Sequence, residues 1–532
     1  MRRQFAVISI AVLAAIAIIA LFYPPILWSL LLVGPIIAVG VHDYVQTSHA
    51  VLRNFPVIGH LRYLLEELRP EIQQYFIELE TEGMPFSRDQ RSVVYQRAKN
   101  VRDTIPFGTQ KDVYEVGYEW INHSMQPLHL AERDLRVMVG GPDCTQPYSA
   151  SLLNISAMSF GSLSANAVQA LSQGAQLGGF AHNTGEGGIS PYHLAGGGDL
   201  IWQIGTGYFG CRRPDGSFDP EKFAQNAAQE QVKMIEVKLS QGAKPGHGGI
   251  LPAAKLTPEI AAIRGVPLGA DVISPPGHSA FDTPLGLLAF VAELRRLAGG
   301  KPVGFKLCVG NRHEFLAVCK AMVESNITPD FITVDGGEGG TGAAPMEFAN
   351  HVGSPLVEGL IFVHNALVGF DLRERVRIIA VGKVTTGFGM IKRLALGADL
   401  CYAARGMMLA LGCIQAMRCN TNRCPVGVAT QDAHLRQGLV VAEKYMRVAN
   451  FHRQTIRGVL ELLGAMGLED PADLTPWHVV RRVSATEVKP YAQVYRFLPR
   501  GALLQPPYPP DFQPYMGLAS AQAFAPRALP RA

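Results

Sequence analysis

The sequence predicts an α/β protein: a (β/α)8 TIM barrel preceded by a transmembrane helical hairpin and followed by a C-terminal extension. Three observations carry this. Short apolar runs alternate with alanine-rich helical stretches from Leu152 onward, the pattern of a buried parallel sheet. About eight such units over some 250 residues match a closed barrel better than an open sheet. Ahead of them, Gln4 to Val41 holds no charged side chain.

Taken in order, "FAVISIAVLAAIAIIALF" (Phe5–Phe22) is long enough to cross a bilayer as a helix. "YPP" breaks it, and a shorter run, Ile26–Val41, follows with Gly34 and Pro35 inside. Arg2 and Arg3 precede the pair, while Arg53 and Arg62 follow it. Positive charge at both ends places both in the cytoplasm. The expected location is the inner (cytoplasmic) membrane, with the catalytic domain in the cytoplasm. An export signal starts similarly, but no small-residue cleavage site follows and a second apolar run does. A buried soluble hairpin is the remaining reading. Leu61–Glu80 has helical periodicity interrupted by Pro70, suiting either a membrane-surface helix or one packed on the catalytic domain.

The expected strands are residues 152–160, 178–184, 234–240, 270–275, 303–309, 330–336, 376–382 and 400–406. Helices are expected between several of them, as at 164–177 and 285–298. The expected domains are the hairpin (1–45), a membrane-proximal region (46–150), the barrel with a cysteine loop (151–445), and a helical region with a proline-rich tail (446–532). The tail from Leu503 is expected to be extended or partly disordered.

Composition excludes some classes. A formal charge of +4 over 532 residues is too small for a nucleic-acid binder. Eight cysteines do not make a disulfide framework in a chain of this length. Three of them, Cys413, Cys419 and Cys424, fall in "GCIQAMRCNTNRCPVG" and suggest a metal or cluster in a reducing compartment.

In such a barrel the residues just after each strand face the active site. Here they read "SAMSFGS", "NTGEGG", "QGAKPGHGG", "DGGEGGTGAAP", "GKVTTGFG" and "ARGMM". Glycines in the last two suit a phosphate held by backbone N–H groups. A single glycine loop merely permits a tight turn, but five such loops at strand ends favour a ligand. Lys306, among apolar strand residues, needs a partner: either a flavin ring acquiring negative charge, or an interior ion pair. Lys238, Lys244 and Arg264 are candidates to clamp an acidic substrate, though any one alone fits a structural cation. Glu186 is a candidate acid/base or ammonium-positioning group. Three thiolates can hold a three-iron cluster or three corners of a four-iron one. Zinc fits less well, since the segment has no histidine and no C-x2-C pair. Three unrelated thiols are the plain alternative.

As an ordered set, "ISAMSFGSLS", "HNTGEGG", "QGAKPGHGG", "ISPPGH", "GGTGAAP" and "CNTNRCPVGVATQD" resemble the flavin-binding synthase domain of glutamate synthases over about residues 150–440. The resemblance implies a barrel carrying FMN and a [3Fe-4S] cluster on Cys413, Cys419 and Cys424. It implies reduction of 2-iminoglutarate, formed from 2-oxoglutarate and ammonia, to L-glutamate, with an external electron donor such as ferredoxin. Met158, Ser159, Gln241, Lys306, Gly339, Gly340, Gly382 and Gly406 would line the FMN site. Lys244 and Arg264, with His247 beside them, would face the 2-oxo acid, and Lys238 and Glu186 would lie close to the chemistry. A homo-oligomer is compatible with this reading. The departures are specific. The first cysteine is Cys144, so neither the N-terminal cysteine nucleophile of a glutaminase domain nor a C-terminal β-helix domain is expected. The family usually has glutamate where His247 stands and glutamine where Ile250 stands. An aliphatic side chain cannot hydrogen-bond a carboxylate. Two alternatives follow: a flavin subunit making an N-substituted glutamate such as N-methylglutamate, and a membrane-tethered electron-transfer component.

Overall fold

The computed structural model describes residues 1–101 and 104–526, which divide into two compact units, Met1–Arg88 and Asp89–Ala532.

In the first unit, α1 (Arg2–Ala20) and α2 (Leu30–Val45) are joined by a helical turn over Pro24–Ser29. The second apolar segment is longer than the sequence suggested: the turn continues into α2 and gives a 22-residue stretch, Pro24–Val45, beside the 19 residues of α1. Pro35 is accommodated inside α2. Mean hydropathies are 2.2 and 2.0, yet only 6% of each apolar window is buried, unlike the core helices of a soluble domain. At the end of α2, the fully buried Asp43 carboxylate accepts from the Val57 N–H at 2.9 Å and faces His60 Nε2 at 3.0 Å. These bonds fix the turn leaving the helix. Gly59–Ile72 is helical through Pro70, and Leu61, Leu65 and Leu68 along it are exposed.

The second unit is built on a closed parallel barrel of eight strands. They are β1 (Leu153–Ile155), β2 (His182–Asn183), β3 (Leu200–Ile204), β4 (Val232–Lys238), β5 (Val303–Cys308), β6 (Phe331–Asp335), β7 (Arg377–Val381) and β8 (Leu400–Ala403). Seven of the eight expected strands are present, most of them shorter. Residues 156–160, for example, leave the ladder to form a loop at the barrel mouth. The eighth needs correction. Residues 270–275 are not a barrel strand: Val272–Ile273 pairs antiparallel with Ile250–Leu251 in a separate ribbon, with Ile273 exposed. The strand that fills the gap, β3, is wholly buried. Its Gln203 interrupts the apolar run, because that side chain points into the barrel and donates to Glu236 at 2.7 Å.

The βα helices start as their sequences dictate. Ser164 caps Ala165–Gly178, which ends at Gly179 in a left-handed conformation, and Thr283 caps Pro284–Leu297. Val441–Met466 lies against the first of these. Gly174 allows the approach, since a Cβ there would come within 2.7 Å of the Val448 side chain. A three-stranded sheet joins Glu119–Ile121 to Val479–Arg482 and Val488–Pro490. The tail is more ordered than its prolines suggest. Phe512 and Met516 are buried, Gln513–Leu518 is helical, and Lys320 Nζ donates to the carbonyls of Met516 and Ala519 at 2.8 and 3.0 Å. The last part of that expected disorder, residues 527–532, lies outside the described residues.

Candidate active site

The loops following β1, β2 and β4 converge at the carboxyl end of the barrel. Glu186, after β2, accepts a hydrogen bond from Lys238 Nζ at 2.7 Å. Burial pushes the Glu186 carboxyl up, but Lys238, Lys244 and Arg264 together outweigh it and hold the group below the usual carboxylate range. Four of the site residues expected from sequence therefore share one electrostatic neighbourhood. Two glycines make room for the carboxylate. A Cβ at Gly205 would lie 2.6 Å from Glu186 Oε2, and one at Gly249 would lie 2.3 Å from Oε1.

The cations around Glu186 are positioned by the backbone. Lys244 Nζ donates to the Ala343 carbonyl at 2.6 Å. Burial, with repulsion from Lys238, pushes its ammonium down to about 8 against the pull of Glu186. Arg264 ends the helix Pro258–Arg264. It donates to the Phe160 carbonyl at 3.1 Å and the Ser159 hydroxyl at 3.4 Å, and lies over the Phe209 ring. Burial pushes its guanidinium down to about 10, with Glu186 opposing. Met158 and Ser159 belong to the same surface: a Cβ at Gly185 would lie 2.6 Å from the Ser159 amide. His247 sits apart from the charged cluster by its contacts, edge-on to Phe348 with Nδ1 2.9 Å from the Gly248 carbonyl.

Of the two readings left open for Lys306, the ion pair forms: Nζ lies 3.0 Å from Asp335 Oδ2, with both side chains buried. Burial pushes the Lys306 ammonium down, but Asp335 and Glu236 outweigh it and hold it above its ordinary value. Asp335 also accepts from the amides of Gly242 and Gly336. Gln241, next to Gly242, reaches Thr341 at 3.3 Å.

The test for a phosphate-bearing cofactor lies at β6, β7 and β8. Gly382 and Lys383 are consecutive left-handed residues, with φ +152° and +47°. Gly406 packs so closely that a Cβ would meet the Val384 carbonyl at 2.6 Å. At Gly339 a Cβ would approach Asp335, and at Gly340 the Arg405 guanidinium. Burial lowers Lys383, and neighbouring Arg405 lowers it further against the pull of Glu338. Two like charges beside a glycine-lined backbone fit a bound phosphate. Lys383 and Arg405 escaped the sequence reading, although each directly adjoins a glycine it singled out.

The cysteine loop is conformationally unusual. Gln415, Met417 and Asn422 all have positive φ, as do Gly412 and Gly427. Such residues persist only where their surroundings impose them. Burial pushes the Cys413 thiol up to about 12, with Cys419 and Cys424 adding to it, so the three thiols share a neighbourhood. The Gln415 amide points at Cys413 Sγ at 3.5 Å. Among the described residues, however, no three His, Cys, Asp or Glu side chains are grouped to hold a metal ion. A further missed residue is Lys255, only 2% exposed, whose Nζ donates to the carbonyls of Ser162 and Cys419 at 2.5 and 3.3 Å. It ties this loop to the one after β1.

A closed parallel barrel with an ionised carboxylate, three basic groups and a phosphate-type cradle at its carboxyl end defines a barrel enzyme. Residues 121–469 match the conserved region of glutamate synthase, and the chain belongs to the glutamate synthase family. It is an oxidoreductase of that type. It is 39% identical over 484 residues to the glutamate synthase large subunit-like protein YerD of Bacillus subtilis, covering 83% of this chain and 91% of that protein. It is 35% identical over 315 residues to the archaeal glutamate synthase [NADPH] of Methanocaldococcus jannaschii, covering 59% of this chain and 58% of that one. It is 33% identical over 338 residues to the ferredoxin-dependent glutamate synthase of Pyropia yezoensis, covering 59% of this chain but 21% of that one. The chain thus spans less than two thirds of the latter two relatives. Among solved structures, a flavocytochrome b2 variant aligns with a TM-score of 0.42 at 13% identity over 82% of this chain and 91% of that one, too distant to add to the barrel seen directly.

Proposed function

We propose that this chain is an FMN and iron–sulfur oxidoreductase that reduces 2-iminoglutarate, formed from 2-oxoglutarate and ammonia, to L-glutamate with electrons from an external donor such as ferredoxin. The observation that carries this reading is the Glu186–Lys238 pair with Lys244 and Arg264 around it. FMN, when bound, supplies the hydride that the imine carbon accepts. Met158, Ser159, Gln241, Lys306, Gly339, Gly340, Gly382 and Gly406 would hold it, joined by Lys383 and Arg405 at the phosphate end. Lys244 and Arg264 take the carboxylate charge of the oxo acid. Glu186, ionised at neutral pH, holds ammonium, accepts its proton as nitrogen adds to the keto carbon, and returns it to the keto oxygen, which leaves as water when the imine forms. The Lys238 ammonium, bonded to Glu186, lies ready to protonate the nitrogen as hydride arrives.

Lys244 gives this reading a pH signature. Its charge is lost as pH rises through about 8. The kcat/KM for the oxo acid is therefore expected to fall above that pH in a steady-state profile of the wild type, and Lys244→Arg should move the fall upward. An unchanged limb in Lys244→Arg would remove Lys244 from this role.

The cluster assignment rests on the C-x5-C-x4-C spacing, the preference of iron for thiolate and the left-handed loop backbone. Serine at Cys413, Cys419 or Cys424 is expected to abolish bound iron while leaving FMN in place. Wild-type iron content in all three variants, measured by metal analysis, would remove the assignment. The exposed apolar helices α1 and α2 support a membrane tether, and Arg2, Arg3, Arg53 and Arg62 flanking them support an enzyme that faces the cytoplasm. The full chain should sediment with membranes in high salt and be released by detergent, and release by salt alone would contradict the tether.

Ile250 favours one second reading, an N-substituted glutamate such as N-methylglutamate. It stands where the family usually has glutamine, and an aliphatic side chain there offers a substrate apolar contact in place of a hydrogen bond. Offering methylamine in place of ammonia in the same assay separates the two.

A further inference from the structure

The pairing of β4 with β3 ends at Val237 opposite Ile204, one residue before Lys238. Lys238 still pairs with Lys306 of β5, but on the β3 side its carbonyl lies past the ladder, and a side chain takes it up: His278 Nε2 is 2.9 Å away. A carbonyl only accepts, so Nε2 carries the proton. His278 Nδ1 is 3.1 Å from the Tyr208 hydroxyl, which itself accepts from the Ala280 amide at 3.1 Å. The chain of bonds has one direction. Ala280 N–H donates to Tyr208, the Tyr208 O–H donates to Nδ1, and Nε2–H donates to Lys238. Burial pushes the His278 imidazole down to about 4, which keeps the ring neutral and this direction fixed at physiological pH. The ring is clamped by stacking on Phe281 at 5.1 Å. Tyr208 is fully buried and held at φ +48°, a conformation unfavourable for a bulky side chain.

We infer that His278 and Tyr208 are positioning residues for the reaction, fixing the end of β4 so that the Lys238 ammonium meets the Glu186 carboxylate. The loop after β3 and the loop carrying His278 thus aim a side chain that neither of them supplies. This inference rests on the proposed role of the Glu186–Lys238 pair.

The test compares His278→Gln with His278→Asn in the full-length, FMN-loaded protein. Glutamine places its amide where Nε2 lies and keeps the bond to Lys238, whereas asparagine reaches only to the Nδ1 position. His278→Asn is expected to lose about tenfold or more in kcat, with KM for 2-oxoglutarate within about twofold, and His278→Gln to retain most of kcat. Equal loss in both variants, or loss in neither, overturns the inference. Crystal structures of the two variants read the same point without turnover. Lys238 Nζ should stay within hydrogen-bond reach of Glu186 in His278→Gln and leave it in His278→Asn. An undisturbed pair in His278→Asn overturns the inference whatever the substrate proves to be. An inactive wild type with the expected structural difference would instead overturn the proposed reaction alone.

Discussion

Glu186→Gln is expected to lower kcat for glutamate formation by about 10²- to 10⁴-fold, with FMN content unchanged. Glutamine keeps the shape but not the charge. Its amide cannot take a proton from incoming ammonium, and it leaves Lys238, Lys244 and Arg264 without the anion that holds them together. The loss should appear mainly in kcat, because the groups facing the oxo acid remain. Gly249→Ala should reach a comparable loss by another route. The new methyl would fall 2.3 Å from Glu186 Oε1 and must displace it, since the backbone behind Gly249 is fixed by the Ser274 amide at 2.9 Å. Steady-state kinetics with the flavin spectrum as a loading control decide the matter. Glu186→Gln within about threefold of wild type would remove Glu186 from the chemistry.

The largest effect on stability is expected at Lys306. Lys306→Met should cost about 3–5 kcal/mol, because removing one partner of a buried pair leaves the other charge uncompensated. The side chains of Lys306 and Asp335 are 7% and 5% exposed, so water offers little relief. Asp335 also holds the amides of Gly242 and Gly336, so a displaced carboxylate would loosen the loops after β4 and β6 together. The double variant Lys306→Met, Asp335→Asn should recover much of the loss, since no buried charge is then left alone at that pair. Chemical denaturation of the wild type and the two variants tests this. A single variant as stable as wild type would show that solvent reaches the pair.

These two residues mark what the sequence makes legible. Gly249 and Gly382 sit in recognisable loops because close backbone approach restricts the choice of residue, and that restriction shows locally. Lys306 announces itself as a charge in an apolar run, but its partner does not, because Asp335 comes from the neighbouring strand. The interior carboxylate Glu236 is harder still. It is satisfied by Asn183, Gln203 and Thr333 at 2.6–2.8 Å, from three other strands. Gln203 is also why β3 was missed: a polar side chain facing a polar layer inside the barrel breaks the apolar signal that marks a buried strand. Tyr208 and His278 meet across 70 residues and carry no local motif that names their bond. Lys255 reads as an ordinary charged residue near a helix start, and only the fold shows it buried between the cysteine loop and the loop after β1.

Anaerobic turnover of the whole chain, loaded with FMN and iron, with reduced ferredoxin, 2-oxoglutarate and ¹⁵N-ammonium reads the proposed reaction itself. ¹⁵N-labelled L-glutamate is expected, with oxidation of two equivalents of one-electron donor per glutamate. Stable reduced flavin with no labelled glutamate, or N-methylglutamate from methylamine with no glutamate from ammonium, would contradict the proposed reaction.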